Sequence, residues 1–337
     1  MDRLPATAHP GPMTTLDPVR QPSIDEIRAA RTRIANAATR TPLIPLDGVG
    51  RDGGGLWLKL ECLQPIGSFK IRGAANAIAL AAPAELERGV YTASAGNMAQ
   101  GVAYAAGKLG LTCRVIVPDS APRAKTDAIR RLGGQVIPVP YDEWWRVLVE
   151  HGHPSEEGFF VHPVSNSDVI AGNGTVGLEI LEDLPDVETI VVPYGGGGLS
   201  CGIASAVQGE GASATVFASE VDTAAPLVAS LSAGNAVSVE RVPTFVDGIG
   251  GSSVLADMWP MARDLLAGSL VTTIDGICEA IRTLAFTGHV IAEGAGASSV
   301  AAAMEHLPAE RQVVAVVSGG NIDIDVLRRI LSGGLPH

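Results

Sequence analysis

Gly67-Ser68-Phe69-Lys70-Ile71-Arg72-Gly73-Ala74 sets one lysine inside a run of small residues bounded by glycines. A lysine amine is the one common side chain that condenses with an aldehyde, and its pKa falls readily once it leaves water. A solvated surface position is the plain alternative for any of the 24 Lys and Arg residues. Lys70 therefore needs support from other parts of the chain, and three further stretches supply it.

Pro193-Tyr194-Gly195-Gly196-Gly197-Gly198-Leu199-Ser200 follows the apolar run Thr189-Ile190-Val191-Val192 and reads as strand, glycine turn and helix, the helix covering Leu199 to Val207. Four glycines let successive backbone N–H groups converge on one anion, and the positive end of the helix dipole points at the same place. A flexible loop or a dinucleotide-binding turn are the other readings, although the spacing departs from G-x-G-x-x-G. Thr92-Ala93-Ser94-Ala95-Gly96-Asn97 leads into a helical pattern from Met98 to Leu109 that Gly110 closes. Ser94, Asn97 and the free N–H groups there suit a substrate carboxylate, with Asn97 also able to donate to a cofactor hydroxyl; an ordinary helix cap is the alternative. Val313-Val314-Ala315-Val316-Val317-Ser318-Gly319-Gly320-Asn321 is a buried-type strand ending in a polar side chain, followed by a helix from Asp323 to Leu331. It delivers Ser318 to the carboxyl edge of a sheet, where open α/β sheets bind ligands, unless Ser318 merely caps the helix.

Together these stretches point to pyridoxal phosphate, and in this order they resemble the fold-type II pyridoxal phosphate enzymes, tryptophan synthase beta-like in fold. The branch is that of threonine and serine dehydratases (threonine ammonia-lyases) and serine racemase, and the resemblance spans about residues 20–332. It implies an α/β fold of open parallel sheets flanked by helices. It also implies that Lys70 is the Schiff-base lysine and general base, with Phe69 near the cofactor ring. Gly195, Gly196, Gly197, Gly198 and Leu199 then hold the phosphate, Asn97 the ring hydroxyl, and Ser318 faces the pyridine nitrogen. Glu293 lies near the cofactor edge, with a solvated loop carboxylate as the alternative. Ser94, Ala95, Gly96 and Asn97 form the substrate-binding turn. The activity implied is dehydration and deamination of a β-hydroxy amino acid such as L-threonine or L-serine, by a homodimer or homotetramer.

Several positions depart from that pattern. The racemase branch carries a second serine as acid/base where this chain has Ala95, which disfavours racemisation. Met98 stands where most relatives have histidine, and Val164 where many have asparagine after His162-Pro163; both make the neighbourhood less polar and admit a bulkier substrate such as phenylserine or a hydroxyectoine-derived compound, unless they only repack the wall. A β-replacement synthase would follow the Gly-Asn pair with Thr-Gly rather than Met98-Ala99. A non-catalytic cofactor carrier fits poorly with the retention of Lys70, Asn97 and Ser318. A Mg²⁺ or K⁺ ion would have only Glu220 and the Ala224 carbonyl, because Pro226 replaces a carboxylate, and hard cations want about six or more oxygens. No metal ligand is assigned.

A formal charge of −12 and a pI near 5.0, without a basic cluster, argue against nucleic acid and anionic membranes as partners. Four scattered cysteines in apolar contexts read as free thiols in a reducing cytoplasm. No apolar run reaches transmembrane length, and no signal-peptide core precedes the fold. Residues 1–20 read as a disordered lead. Ser23-Ile24-Asp25-Glu26 is a capping box opening a helix through Ala38. Strands are expected at Leu56 to Leu60, Leu111 to Pro118, Gln135 to Val139, Thr189 to Val192, Thr215 to Glu220 and Gln312 to Val317, alternating with helices. The family pattern divides the chain into a large cofactor domain, 21–87 plus 164–337, and a small inserted domain, 88–163, with His151 to Gly158 as a mobile boundary loop.

Overall fold

The alternating strands and helices fold into two separate sheets. The computed structural model describes residues 17–48, 55–308 and 311–336. Helix α1 (Ile24–Ile34) is followed by β1 (Leu43–Pro45), β2 (Gly55–Lys59), α2 (Lys70–Leu80) and α3 (Pro83–Leu86). Next come β3 (Val90–Ala93), α4 (Asn97–Lys108), β4 (Cys113–Pro118), α5 (Arg123–Arg131), β5 (Gln135–Val139), α6 (Tyr141–Val149) and β6 (Phe159–Phe160). Then follow α7 (Ser167–Asp183), β7 (Thr189–Pro193), α8 (Gly198–Gly209), β8 (Thr215–Val221), α9 (Pro226–Ala233) and α10 (Trp259–Leu265). The chain closes with β9 (Gly268–Thr272), α11 (Ile274–Phe286), α12 (Gly294–His306), β10 (Gln312–Val316) and α13 (Ile324–Leu331).

The six-stranded sheet has the order β1-β2-β10-β7-β8-β9, in which only β1 runs antiparallel. The four-stranded sheet, β5-β4-β3-β6, is parallel throughout, and all its strands come from residues 90–160. Side chains alternate across a strand, so a sheet covered on both faces needs apolar residues at every position. In β10 and just beyond it, Val313, Ala315 and Val317 pack into a core with α11 and α12, while Val314 and Val316 pack into the opposite core with α7 and α8. Each such valine removed from water contributes roughly 1.5–3 kcal/mol.

The strand expectations hold to within two residues, whereas β1, β3, β6 and β9 were not expected. β1 and β6 are too short to show alternation, β3 was read as the start of its turn, and β9 is half polar in sequence. Helix α1 begins at the expected capping box but stops at Ile34, the chain continuing as a turn through Ala37. Of the expected disordered lead, residues 1–16 lie outside the described residues. Its last part is held: Val19 N–H donates to the Asp257 carbonyl at 2.9 Å and Arg20 pairs with Glu26 at 2.7 Å. The stretch expected to be a mobile boundary loop is likewise tied down, His153 to Glu143 at 3.0 Å and Arg114 to Glu156 at 2.6 Å.

Helix α2 is anchored by a cluster of buried charges. The Arg72 guanidinium donates to both oxygens of Glu61 at 2.8 Å and to those of Glu179 at 2.7 and 2.8 Å. Lys59 Nζ donates to Glu179 at 2.6 Å and to the Thr41 carbonyl at 2.7 Å. Two cations face two carboxylates, so the cluster is neutral and can be removed from water as a unit. It joins β2, the turn after it, α2 and α7. Replacing Arg72 by methionine should leave Glu61 and Glu179 facing each other with only Lys59 between them, costing roughly 3–5 kcal/mol. Denaturant unfolding measures this, and an unchanged midpoint would show that the cluster does not hold α2.

Candidate active site

Between β2 and α2 the chain turns at Gly67, whose φ of +70° lies in the left-handed region. Main-chain bonds fasten this loop to the one after β10: Phe69 N–H donates to the Ser318 carbonyl at 3.1 Å and Gly320 N–H to the Gly67 carbonyl at 2.9 Å. Lys70 is the first residue of α2. Gly101 of α4 lies against its backbone so closely that a Cβ there would fall 3.1 Å from the Lys70 carbonyl oxygen. The amine, 5.2 Å from the centre of the Phe69 ring, donates to the Pro163 carbonyl at 2.9 Å. Burial pushes its pKa down to about 8, with Glu293 opposing the shift.

The glycine turn follows β7, as the sequence indicates. Gly197 has φ +94°, and α8 starts at Gly198. The N–H groups of Gly195 through Ser200 make no hydrogen bond among the described residues. They are free donors at the positive end of a 12-residue helix. Buried Leu199 anchors the turn in the core, and Val164 packs against Gly196.

The turn between β3 and α4 brings residues of the second sheet to the same place. The alternative of an ordinary side-chain cap does not hold: the N-cap is Gly96, no side chain caps the helix, and Asn97 is already its first residue. Ser94 Oγ instead accepts from Gly96 N–H at 3.2 Å. The N–H groups of Ala95, Asn97, Met98 and Ala99 have no partner among the described residues. Asn97 Nδ2 donates to Glu293 at 2.8 Å, and Asn97 Oδ1 accepts from Asn321 Nδ2 at 2.8 Å. Glu293 is thus no solvated loop carboxylate. Burial and nearby Asp247 push its pKa up to about 7 against the Asn97 hydrogen bond.

Ser318 is 3 % exposed, and its hydroxyl has no protein partner among the described residues. It does not cap α13, because Asp323 accepts from Asp325 and Val326 N–H at 2.8 and 3.3 Å and does so itself. Met98, expected to change the polarity of the site, is 2 % exposed and packs in the core around α2 and α4. Glu220, weighed as a cation ligand, has its oxygens taken by Leu227 and Val228 N–H and by Ser269 Oγ, at 2.6 to 2.9 Å. Asn321 and the Pro163 carbonyl were missed. Asn321 sits in the quoted Ser318 stretch and could have been read as a clamp; a backbone carbonyl carries no residue signal.

Free N–H donors for a phosphate, a buried amine of lowered pKa for an aldehyde and an unspent serine hydroxyl form the donor set that pyridoxal phosphate requires. The chain resembles L-threonine ammonia-lyase of Thermotoga maritima, 39% identical over 93% of this chain and 79% of that one. Serine racemase of Oryza sativa subsp. indica is 35% identical over 90% of this chain and 92% of its own length. The structure of maize serine racemase superposes with a TM-score of 0.84 at 31% identity, covering 93% of this chain and 98% of that one. Since residues 34–319 also match the family described as pyridoxal-phosphate dependent enzyme, the donors converging on this cleft are those of a member, and the chain belongs to that family.

Proposed function

We propose that the protein eliminates the β-hydroxyl of a small amino acid such as L-threonine or L-serine, giving a 2-oxo acid and ammonia. The observation that carries this reading is the Lys70 amine, lowered in pKa by burial, in a chain whose turn between β3 and α4 has alanine rather than a proton donor at position 95. Pyridoxal phosphate supplies, when bound, an aldehyde for the substrate amine and a ring that withdraws charge from Cα. The chain's own residues do the rest. N–H groups from Gly195 to Ser200 hold the phosphate, and those of Ala95, Asn97, Met98 and Ala99 hold the substrate carboxylate.

Lys70 Nζ, neutral over much of the range above its lowered pKa, takes the Cα proton. The electron pair left at Cα forms the Cα–Cβ double bond as the Cβ–O bond breaks, and the hydroxyl leaves as water by taking up one proton, which balances the one Lys70 removed from Cα. The enamine released then takes up water and loses ammonia, so the amino acid is converted to oxo acid and ammonia with no net change in water. Ser318 offers a hydroxyl, which supports a protonated pyridine nitrogen less than a carboxylate would. A hydroxyl at this position would therefore favour prompt loss of the β-hydroxyl. Met98, being in the core, does not enlarge the substrate space, which favours a small β-hydroxy substrate over phenylserine.

Borohydride treatment of the loaded protein should fix the cofactor to Lys70, located by peptide mapping, and Lys70→Ala should abolish both label and ammonia release. In the cofactor-free protein, competitive acetylation of Lys70 should rise with pH to a midpoint near 8, because only the unprotonated amine reacts. A midpoint above 10, the ordinary lysine range, would contradict the burial argument. With L-serine in deuterated water, oxo acid should form far faster than D-serine accumulates. Ala95→Ser should raise racemisation; comparable rates in the parent would overturn the assignment of a lyase.

A further inference from the structure

His162 belongs to neither the lysine loop nor the glycine turn, yet it holds the segment that touches both. It is 4 % exposed and stands beside Pro163, whose carbonyl accepts from Lys70 Nζ. Its Nδ1 meets the N–H of Val164 at 3.1 Å and of Ser165 at 2.6 Å. Two N–H donors can converge only on a ring nitrogen that carries no proton. The ring proton therefore sits on Nε2, which donates to the Leu148 carbonyl at 3.2 Å. Burial and neighbouring His151 push the ring's pKa down to about 3, which preserves this neutral form. His151 stacks on the ring with centroids 4.4 Å apart, and Phe160 meets its edge at 5.9 Å. His151 in turn lies 3.5 Å from the Asp257 carboxylate.

We infer that His162 is a positioning residue: by binding the two N–H groups beyond Pro163, it aims the Pro163 carbonyl at Lys70 and so orients the lysine amine in the cleft. This rests on Lys70 being the cofactor lysine. A neutral amine that donates one N–H to a fixed carbonyl has its lone pair directed by that bond. On a slack turn it would rotate freely at the end of its four-carbon stem. The same turn carries Val164, which packs against Gly196, so its loosening reaches the phosphate turn as well. The hydrogen-bond pattern is that of an asparagine accepting from residues two and three positions ahead. Asparagine should therefore replace His162, whereas glutamine, one methylene longer, should not. Phenylalanine would retain the stacking but offer no acceptor.

The test compares the parent with His162→Asn, His162→Gln and His162→Phe as full chains, with folding checked by thermal midpoint. Capture of added pyridoxal phosphate by the cofactor-free proteins is followed by visible absorbance, and kcat and KM by ammonia release from L-serine. The asparagine variant should stay close to the parent. The glutamine and phenylalanine variants should capture the cofactor and turn over roughly ten- to a hundredfold more slowly, with KM little changed. Parent-like capture and kcat in those two variants, or an asparagine variant as slow as the glutamine one, overturns the inference. If the phenylalanine variant does not fold, the asparagine and glutamine pair still decides. Borohydride trapping on another lysine in the parent would overturn the reading of Lys70 itself. Trapping on Lys70 together with parent-like rates in the glutamine variant overturns only the role of His162.

Discussion

The buried pairing of Arg72 with Glu61 and Glu179 is the constraint on which the site depends. Arg72 lies two residues after Lys70 on the same helix, and its guanidinium is 1 % exposed. Charges so deep are tolerated only in one geometry, because any shift of α2 along α7 would leave a carboxylate uncompensated. Lys59, at the end of β2, completes the same cluster. The strand preceding the lysine loop, the helix following it and the helix packed beside it are therefore held in one register, and Lys70 inherits that register.

With α2 fixed, the remaining loops reach Lys70 through main-chain contacts and short polar links. β10 lies between β2 and β7 in the sheet, so the Ser318 loop emerges between the lysine loop and the glycine turn. The bonds from Phe69 to Ser318 and from Gly320 to Gly67 fasten the first two together. The second sheet contributes through Asn97, whose amide is held at one end by Glu293 and at the other by Asn321. Such a chain of neutral and half-charged partners resists rotation of the amide and keeps the free N–H groups of the neighbouring turn facing the cleft.

The substitutions that set this chain apart act in different ways. Met98 belongs to the core, where a flexible apolar side chain fills space around α2 and α4. Val164 packs against Gly196 and so bears on the shape of the glycine turn. Ala95 changes chemistry rather than shape, since a methyl group has no proton to exchange with a substrate. Burial therefore separates Met98, which fills the core, from Val164, which lies against the glycine turn.

The local sequence already marks the four glycine- or serine-bearing stretches that meet around Lys70, together with the parallel α/β architecture. Both depend on local signals: glycines where N–H groups must converge, and apolar residues at every position of strands covered on two faces. It did not determine how the polar side chains pair. Ser318 and Asp323 are both plausible caps for α13 in sequence, and only the helix start at Ile324 shows which oxygen meets the free N–H groups. Asn97 lies some two hundred positions before Glu293 and Asn321, and it meets them because the two sheets bring their loops together. The Pro163 carbonyl that receives the Lys70 amine has no residue signature at all, since any residue carries a carbonyl and only its orientation by the fold makes it an acceptor at that point.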